Sequence, residues 1–230
     1  MTERPDDTEG DSHPGSVSID THSDSSSVDS RSGSSDPDSH LDAPTAPTAP
    51  WTRSDPAWPV EETETLFETP WVDAGREEVR RPTGETATYY WVRQEPAAAV
   101  VAHDREADEL VLVEQYRPRF RRRFVSCPGG GVEEGESPTA AARRELREET
   151  GYRAGRVDHL GAYHPAGMVR LTRHVCYASD LRDGDADPDP GEELVVHRRD
   201  PETALADALG SVATGWTVTP LLWARERELL

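Results

Sequence analysis

This 230-residue chain contains no lysine: all 25 of its basic residues are arginine, set against 45 aspartate and glutamate residues. The net charge of −20 argues against general nucleic-acid binding, because that requires basic surface to displace counterions from phosphates. Two cysteines, Cys127 and Cys176, are too few for a disulfide framework. No apolar run approaches the roughly 20 residues that span a bilayer, and the N-terminus lacks the apolar core of a signal peptide. We therefore expect a cytoplasmic protein with no membrane partner.

The composition changes near residue 60. Residues 1–60 are rich in Ser, Asp, Thr and Pro, and their 12 acidic residues and 3 arginines give a net charge of −9. Apolar residues are too sparse here to offset the entropy of ordering the chain. We predict a disordered acidic tail, for which a solvated leader and a regulatory segment remain alternatives.

The remaining sequence alternates short apolar or aromatic runs with turn residues, a pattern typical of strands. We expect a small antiparallel strand region over 61–95 and a larger domain of mixed strands and helices over 96–230, hence an α/β protein. The expected strands and terminal helices lie at 65–67, 71–72, 88–92, 97–102, 109–116, 124–126, 157–163, 171–178, 194–198, 201–209 and 218–228.

One helix, at about 138–150, has clear boundary signals. Ser137 suits the N-cap, Pro138 the first helical position, and Gly151 the residue just past the end. The glycine run at 129–131 precedes this helix and allows a tight backbone path. Glu136 stands at the helix entrance, where it can orient that loop.

Three glutamates of this helix, Glu145, Glu148 and Glu149, have the i, i+3, i+4 spacing that places them on one face. Arg144, one turn before Glu148, can steady that carboxylate. Solvated charges on an exposed helix are one interpretation. The other is a divalent cation, which removes the repulsion between the carboxylates, and hard oxygen ligands of this kind are what Mg²⁺ prefers.

The full arrangement is Gly130-x5-Glu136-x7-Arg144-Glu145-Leu146-x-Glu148-Glu149-x-Gly151-Tyr152. It resembles the Nudix box, GX5EX7REUXEEXGU with U hydrophobic, at every specified position. The resemblance implies a Nudix α/β/α sandwich with a mixed sheet, and hydrolysis that depends on Mg²⁺, with Mn²⁺ as an acceptable substitute. It also implies Glu145 and Glu149 as direct metal ligands and the Gly129 carbonyl as another. Glu148 would be a further ligand and, with Arg144, part of the catalytic set.

Features outside the box are similar to the ADP-ribose pyrophosphatase branch of that family. Glu114-Gln115-Tyr116-Arg117 resembles the strand end of those enzymes, which implies that Arg117 guides a substrate phosphate. The segment around Trp71 and Tyr89 resembles their N-terminal strands, which implies adenine stacking by these two aromatics and a homodimer. Two departures concern residues 127–130 and 164–170, which differ from the Leu-Pro-Ala-Gly and acid-bearing segments usual in that branch.

The general base expected from the resemblance is Glu192, with Glu193 as the reserve, while box glutamates can also serve. The implied reaction converts ADP-ribose, a small nucleotide-sugar partner, to AMP and ribose 5-phosphate. Alternatives are a Nudix hydrolase for NADH, a nucleoside triphosphate or a dinucleoside polyphosphate, and a Nudix sensor that binds a nucleotide without turnover. The intact glutamate set argues against the sensor.

Overall fold

The computed structural model describes residues 57–187 and 191–230. Nearly all of the predicted tail, residues 1–60, lies outside the described residues. The elements within them are β1 (Val60–Glu68), β2 (Asp73–Arg80), β3 (Thr86–Arg93), β4 (Ala97–Asp104), β5 (Glu109–Arg117), β6 (Arg122–Ser126), β7 (Gly129–Gly131), α1 (Pro138–Thr150), β8 (Arg153–Tyr163), β9 (Val169–Arg170), β10 (Arg173–Arg182), β11 (Leu194–Arg199), α2 (Pro201–Gly210) and α3 (Gly215–Glu226).

The smaller sheet has the order β1-β2-β3-β9. Strands β1, β2 and β3 pair antiparallel, as predicted, while the two-residue β9 joins β3 in parallel. Strand β2 was not predicted, because five of its eight residues are charged. The strand expected at 71–72 is instead part of the loop between β1 and β2. The sheet therefore pairs a charged strand with the aromatic β3.

The larger sheet has the order β11-β5-β4-β10-β8, with β6 pairing β5 and β7 pairing β4. Strands β4 and β10 are parallel, and the other pairs are antiparallel. The mixed sheet expected from the resemblance is confirmed. The strands β7 and β4 bring the glycine run beside the centre of this sheet.

Alternating residues of the central strands supply two cores, one on each face of the larger sheet. Val100 and Val111 pack on one face with Ala142 and Leu146 of α1. Val101 and Leu112 pack on the other face among buried residues of α2 and α3. The larger sheet thus lies between α1 and the α2–α3 pair, which is the α/β/α sandwich that was predicted. Within the described ranges, no helix is long and apolar enough to cross a membrane.

Candidate active site

Helix α1 begins and ends where the sequence predicted. The Ser137 hydroxyl accepts a hydrogen bond from the Ala140 N–H at 3.2 Å, and Pro138 occupies the first turn. Gly151 ends the helix in the left-handed conformation, with φ of 79°. Because Leu146 is fully buried against the sheet, the rotation of the helix about its axis is fixed. The neighbouring glutamates are thereby held at the edge of the core.

Arg144 links two of these glutamates to the glycine loop. Its Nη1 donates to Glu145 Oε1 at 2.7 Å and to Glu148 Oε2 at 3.2 Å. Its Nη2 donates to the Gly131 carbonyl at 2.8 Å and to Glu136 Oε2 at 3.0 Å. The guanidinium thus ties β7, the helix entrance and the carboxylate face together. The expected roles of Glu136 in orienting the loop and of Arg144 in steadying Glu148 agree with these contacts.

Glu149 contacts the glycine loop directly and not through Arg144. Its side chain is 8% exposed, and its Oε2 accepts a hydrogen bond from the Gly129 N–H at 2.8 Å. This bond ties Glu149 to the first residue of β7, whose carbonyl is the one that the resemblance implies as a metal ligand.

Gly129 and Gly130 are the positions where this approach requires glycine. Gly129 has φ of +144°, and a Cβ there would lie 2.1 Å from the Ala98 carbonyl oxygen. A Cβ on Gly130 would lie 2.4 Å from Glu145 Oε1. The glycine run therefore gives the Glu145 carboxylate room against the backbone of β7.

Burial dominates the electrostatics of this site. Burial raises the pKa of Glu149 to about 8, with smaller increases from the Glu145 and Glu192 charges and opposition from the Gly129 N–H and Arg117. Burial also raises the pKa of Glu145, while Arg144 opposes the shift. Both carboxylates are therefore held in surroundings that penalise their negative charge. A nearby positive charge would relieve that penalty.

The electrostatic partners of Glu149 also show which distant residues share the site. Glu192, from the segment before β11, and Arg117, from the end of β5, both act on the Glu149 carboxylate. Both predicted residues therefore lie within electrostatic range of this carboxylate. Glu192 Oε1 accepts a hydrogen bond from Gln115 Nε2 at 3.2 Å. The reserve residue Glu193 is exposed, with its Oε2 3.9 Å from Arg123 Nη2.

Trp71 and Tyr89, the predicted adenine contacts, are not brought together within one protomer. Trp71 is 79% exposed in the β1–β2 loop. Tyr89 lies opposite Glu77 in the β2–β3 ladder, four pairs from the Asp73–Arg93 end beside that loop, or roughly 13 Å along the strand. Tyr89 lines a cavity of about 360 Å³, whose other walls are Trp58, Glu77, Val79, Tyr90, Trp91, Gly167, Met168 and Arg170. Sequence reasoning missed this cavity, because Met168 comes from a distant loop.

The donor set fits a hard divalent cation, although the side chains are not arranged around one. In the described part of the chain, no three Asp, Glu, His or Cys side chains converge in a geometry ready for a metal. Glu145 and Glu148 are drawn to Arg144 instead, and Glu149 to Gly129. Carboxylate and carbonyl oxygens are nevertheless the ligands that Mg²⁺ prefers, and the raised pKa values of Glu145 and Glu149 show surroundings in which a cation would favour their ionised form.

Comparisons with known proteins agree with this geometry. Residues 93–213 match the NUDIX domain, and residues 58–92 match the nucleoside diphosphate sugar hydrolase N-terminal domain. A solved structure described as an ADP compounds hydrolase superposes with a TM-score of 0.68 at 22% identity, covering 76% of this chain and 96% of that one. That likeness shows the fold.

Three relatives give closer similarity in sequence. A CMP-5'-(N-acetyl-N-hydroxy-3-aminopropyl)phosphonate hydrolase from Streptomyces rubellomurinus is 38% identical, over 62% of this chain and 67% of that protein. An ADP-ribose pyrophosphatase from Bacillus subtilis is 34% identical, over 51% of this chain and 64% of that protein. An ADP-sugar pyrophosphatase from Mus musculus is 31% identical, over 64% of this chain and 77% of that protein. The alignments thus span about two thirds to three quarters of each relative.

Proposed function

The chain belongs to the Nudix family of hydrolases, and we propose that it hydrolyses the diphosphate linkage of ADP-ribose, with Mg²⁺, to AMP and ribose 5-phosphate. The observation that carries the proposal is the glutamate face of α1, where Glu145 and Glu148 meet Arg144 and the buried Glu149 accepts from the Gly129 N–H. The charges of Glu192 and Arg117 also act on Glu149, which offers this carboxylate set a base candidate and a cation for the phosphates. Relatives named for ADP-ribose and ADP-sugars support the substrate class.

The residues that would hold the ion are Glu145, Glu149 and the Gly129 carbonyl, with Glu148 as a further or water-mediated ligand. A bound ion would supply neutralisation of the diphosphate oxygens and a lower pKa for a bound water. Glu148 accepts hydrogen bonds from Arg144 and Arg147. Arg144 also donates to Glu136 and to the Gly131 carbonyl, and so ties the glycine loop to the helix.

The chemical step is the attack of water on one phosphorus of the diphosphate. The water oxygen forms a new bond to phosphorus, the bridging P–O bond breaks, and the bridging oxygen leaves on the other phosphate. Glu192 accepts the proton from the water, as a general base within the site. Arg117 donates hydrogen bonds to the diphosphate, where a guanidinium matches the spacing of phosphate oxygens.

We place the adenine in the cavity that contains Tyr89, where Tyr90 and Met168 add an aromatic and a flexible apolar surface. Trp71 is too far along the strand to reach that cavity in its own protomer, and we assign its stacking role to a partner's site. A second copy of the chain would also cover β1, an exposed edge strand that presents Leu66 and Phe67. A homodimer is therefore part of the proposal.

Sedimentation equilibrium at micromolar concentration tests the dimer. A dimer that Phe67→Glu converts to a folded monomer supports the arrangement, since a buried charge at the interface is costly. Glu64, on the same strand, offers a matched control as Glu64→Gln. A monomeric wild-type protein contradicts the homodimer and the role of Trp71 together.

A second candidate substrate class is a CMP-linked phosphonate. The observation that favours it is the 38% identity to the Streptomyces rubellomurinus enzyme, which exceeds the identity to the two pyrophosphatases just described. The same phosphorus chemistry serves both classes, and the base-binding cavity decides between adenine and cytosine.

Turnover on a nucleotide panel tests the function, with phosphate release coupled through an added phosphatase. The panel contains ADP-ribose, NADH, a dinucleoside polyphosphate, the common triphosphates and a CMP-linked phosphonate, each with Mg²⁺ or EDTA. Mg²⁺-dependent AMP release that favours ADP-ribose supports the proposal. Preference for another compound keeps the hydrolase and rejects the substrate, while no turnover by folded protein favours the nucleotide sensor.

A further inference from the structure

The adjacent acids Glu192 and Glu193 have different partners near strand β5: Glu192 contacts Gln115, and Glu193 lies near Arg123. Val111 belongs to the core on the α1 face, whereas Leu110 and Leu112 belong to the core on the α2–α3 face. By strand alternation, Gln115 then lies on the α1 face and Glu114 on the opposite one. The α1 face is the side that carries the catalytic glutamates.

On this face, the Gln115 Nε2 donates a hydrogen bond to Glu192 Oε1 at 3.2 Å. Glu192 is half-buried and lies close enough to Glu145 and Glu149 to raise the pKa of both. Glu193 is the neighbour of Arg123, which also lies 3.8 Å from Glu114 on the other face. Glu192 and Glu193 thus lie near side chains on opposite faces of β5, Gln115 on one face and Glu114 with its neighbour Arg123 on the other.

The backbone register is consistent with this contact. Gln115 pairs with Leu194, the first residue of β11, so the ladder between β5 and β11 begins two residues after Glu192. The described residues just before β11, 191–193, are not part of a strand. The Gln115 amide therefore extends the contact between β5 and this segment two residues beyond the ladder, to the Glu192 carboxylate.

We propose that Gln115 is a positioning residue, which holds the Glu192 carboxylate toward the water that it deprotonates. The inference rests on the proposed role of Glu192 as the general base. An amide donor suits this task, because it fixes one carboxylate oxygen and leaves the other free to accept a proton.

A double-mutant cycle tests the proposal, with the panel's best substrate and the full chain. Gln115→Met keeps the volume and removes the donor, and Glu192→Gln removes the base. We expect kcat to fall about 10-fold in the first variant, with KM within about twofold, and at least about 100-fold in the second. The double variant should be no slower than Glu192→Gln alone, because Gln115 acts only through Glu192.

Controls distinguish a failure of the proposed role of Gln115 from a failure of the proposed base role of Glu192. Gln94→Met repeats the substitution at the other glutamine of the chain and should leave kcat unchanged. Wild-type kcat in Glu192→Gln overturns the base assignment. A normal Glu192→Gln loss, together with full activity in Gln115→Met or additive losses in the double variant, overturns the role of Gln115 alone. Should Gln115→Met fail to fold by circular dichroism, Gln115→Leu, which also removes the donor and adds no charge, takes its place in the same cycle.

Discussion

Gly130 faces the carboxylate of Glu145 so closely that a Cβ on residue 130 would lie 2.4 Å from its Oε1. We predict that Gly130→Ala displaces this carboxylate and lowers kcat by at least about 10-fold, since a 1 Å misplacement in a catalytic site can cost about 100-fold. Gly131→Ala is the matched control, because a Cβ there meets nothing within 4 Å. Steady-state kinetics of both variants check the prediction, and equal activities would contradict it.

Removing the buried carboxylate of Glu149 should weaken metal binding while the protein still folds. We expect Glu149→Gln to lose at least about 100-fold in kcat and to lose the rise in Tm that Mg²⁺ gives the wild-type protein. The amide can still accept the hydrogen bond from the Gly129 N–H, so the fold should persist. Steady-state kinetics measures the loss of kcat, and differential scanning calorimetry with and without Mg²⁺ measures the Tm shift and shows that the variant folds. A variant that keeps its Mg²⁺-dependent Tm shift would rule out Glu149 as a ligand.

The same carboxylate predicts a pH dependence of stability in EDTA. Burial raises the pKa of Glu149 to about 8 in the folded state, above its ordinary value near 4.5. The folded protein then binds a proton that the unfolded chain releases, so this contribution to stability is complete below pH 4.5 and is lost as pH rises through 8. Thermal unfolding from pH 5.5 to 9 should show Tm falling more steeply in wild type than in Glu149→Gln. Parallel curves would refute the assignment.

A histidine pair on β8 and β10 predicts the opposite trend in mild acid. His159 Nε2 and His174 Nδ1 lie 3.1 Å apart, and burial, followed by the charge of His159, lowers the pKa of His174 to about 4. Because the unfolded chain binds this proton near pH 6.5, stability should be lost as pH falls from 6.5 toward 4. Urea midpoints of His174→Gln should fall less steeply over that range. His164→Gln, at an exposed position, is the control.

Tyr89, which lines the cavity where we place the adenine, should affect substrate binding more than the chemical step. We predict that Tyr89→Ala raises KM for ADP-ribose about 10-fold with kcat within about threefold, because base stacking on an aromatic contributes about 1–3 kcal/mol. Tyr116→Ala removes an exposed tyrosine outside that cavity and should leave KM unchanged. An unaltered KM in Tyr89→Ala would move the base elsewhere.

Local signals explain what the sequence could predict. Helix α1 was located from Ser137, Pro138 and Gly151, whose conformational preferences act over a few residues, and its glutamate face followed from helical spacing. Strand β2 was missed because its charged residues mask the alternation that identifies strands. The choice between Glu192 and Glu193 depends on the pairing of β5 with β11, which joins residues about 80 positions apart and leaves no local pattern. The cavity around Tyr89 also could not be predicted, because it joins β2 and β3 to residues such as Met168 that are distant in the sequence.

The parallel pairing of β4 with β10 has a consequence for the order in which the protein folds. It joins residues about 75 positions apart, and the intervening chain includes β7 and the whole of α1. Closing this loop costs conformational entropy, and the packing of the central strands stabilises the protein only after the loop has closed. Helix α1 has its own caps, whereas Glu192 reaches β5 through the pairing of β11 with β5, which is also non-local. Assembly of the site therefore requires two long-range strand pairings in addition to the helix.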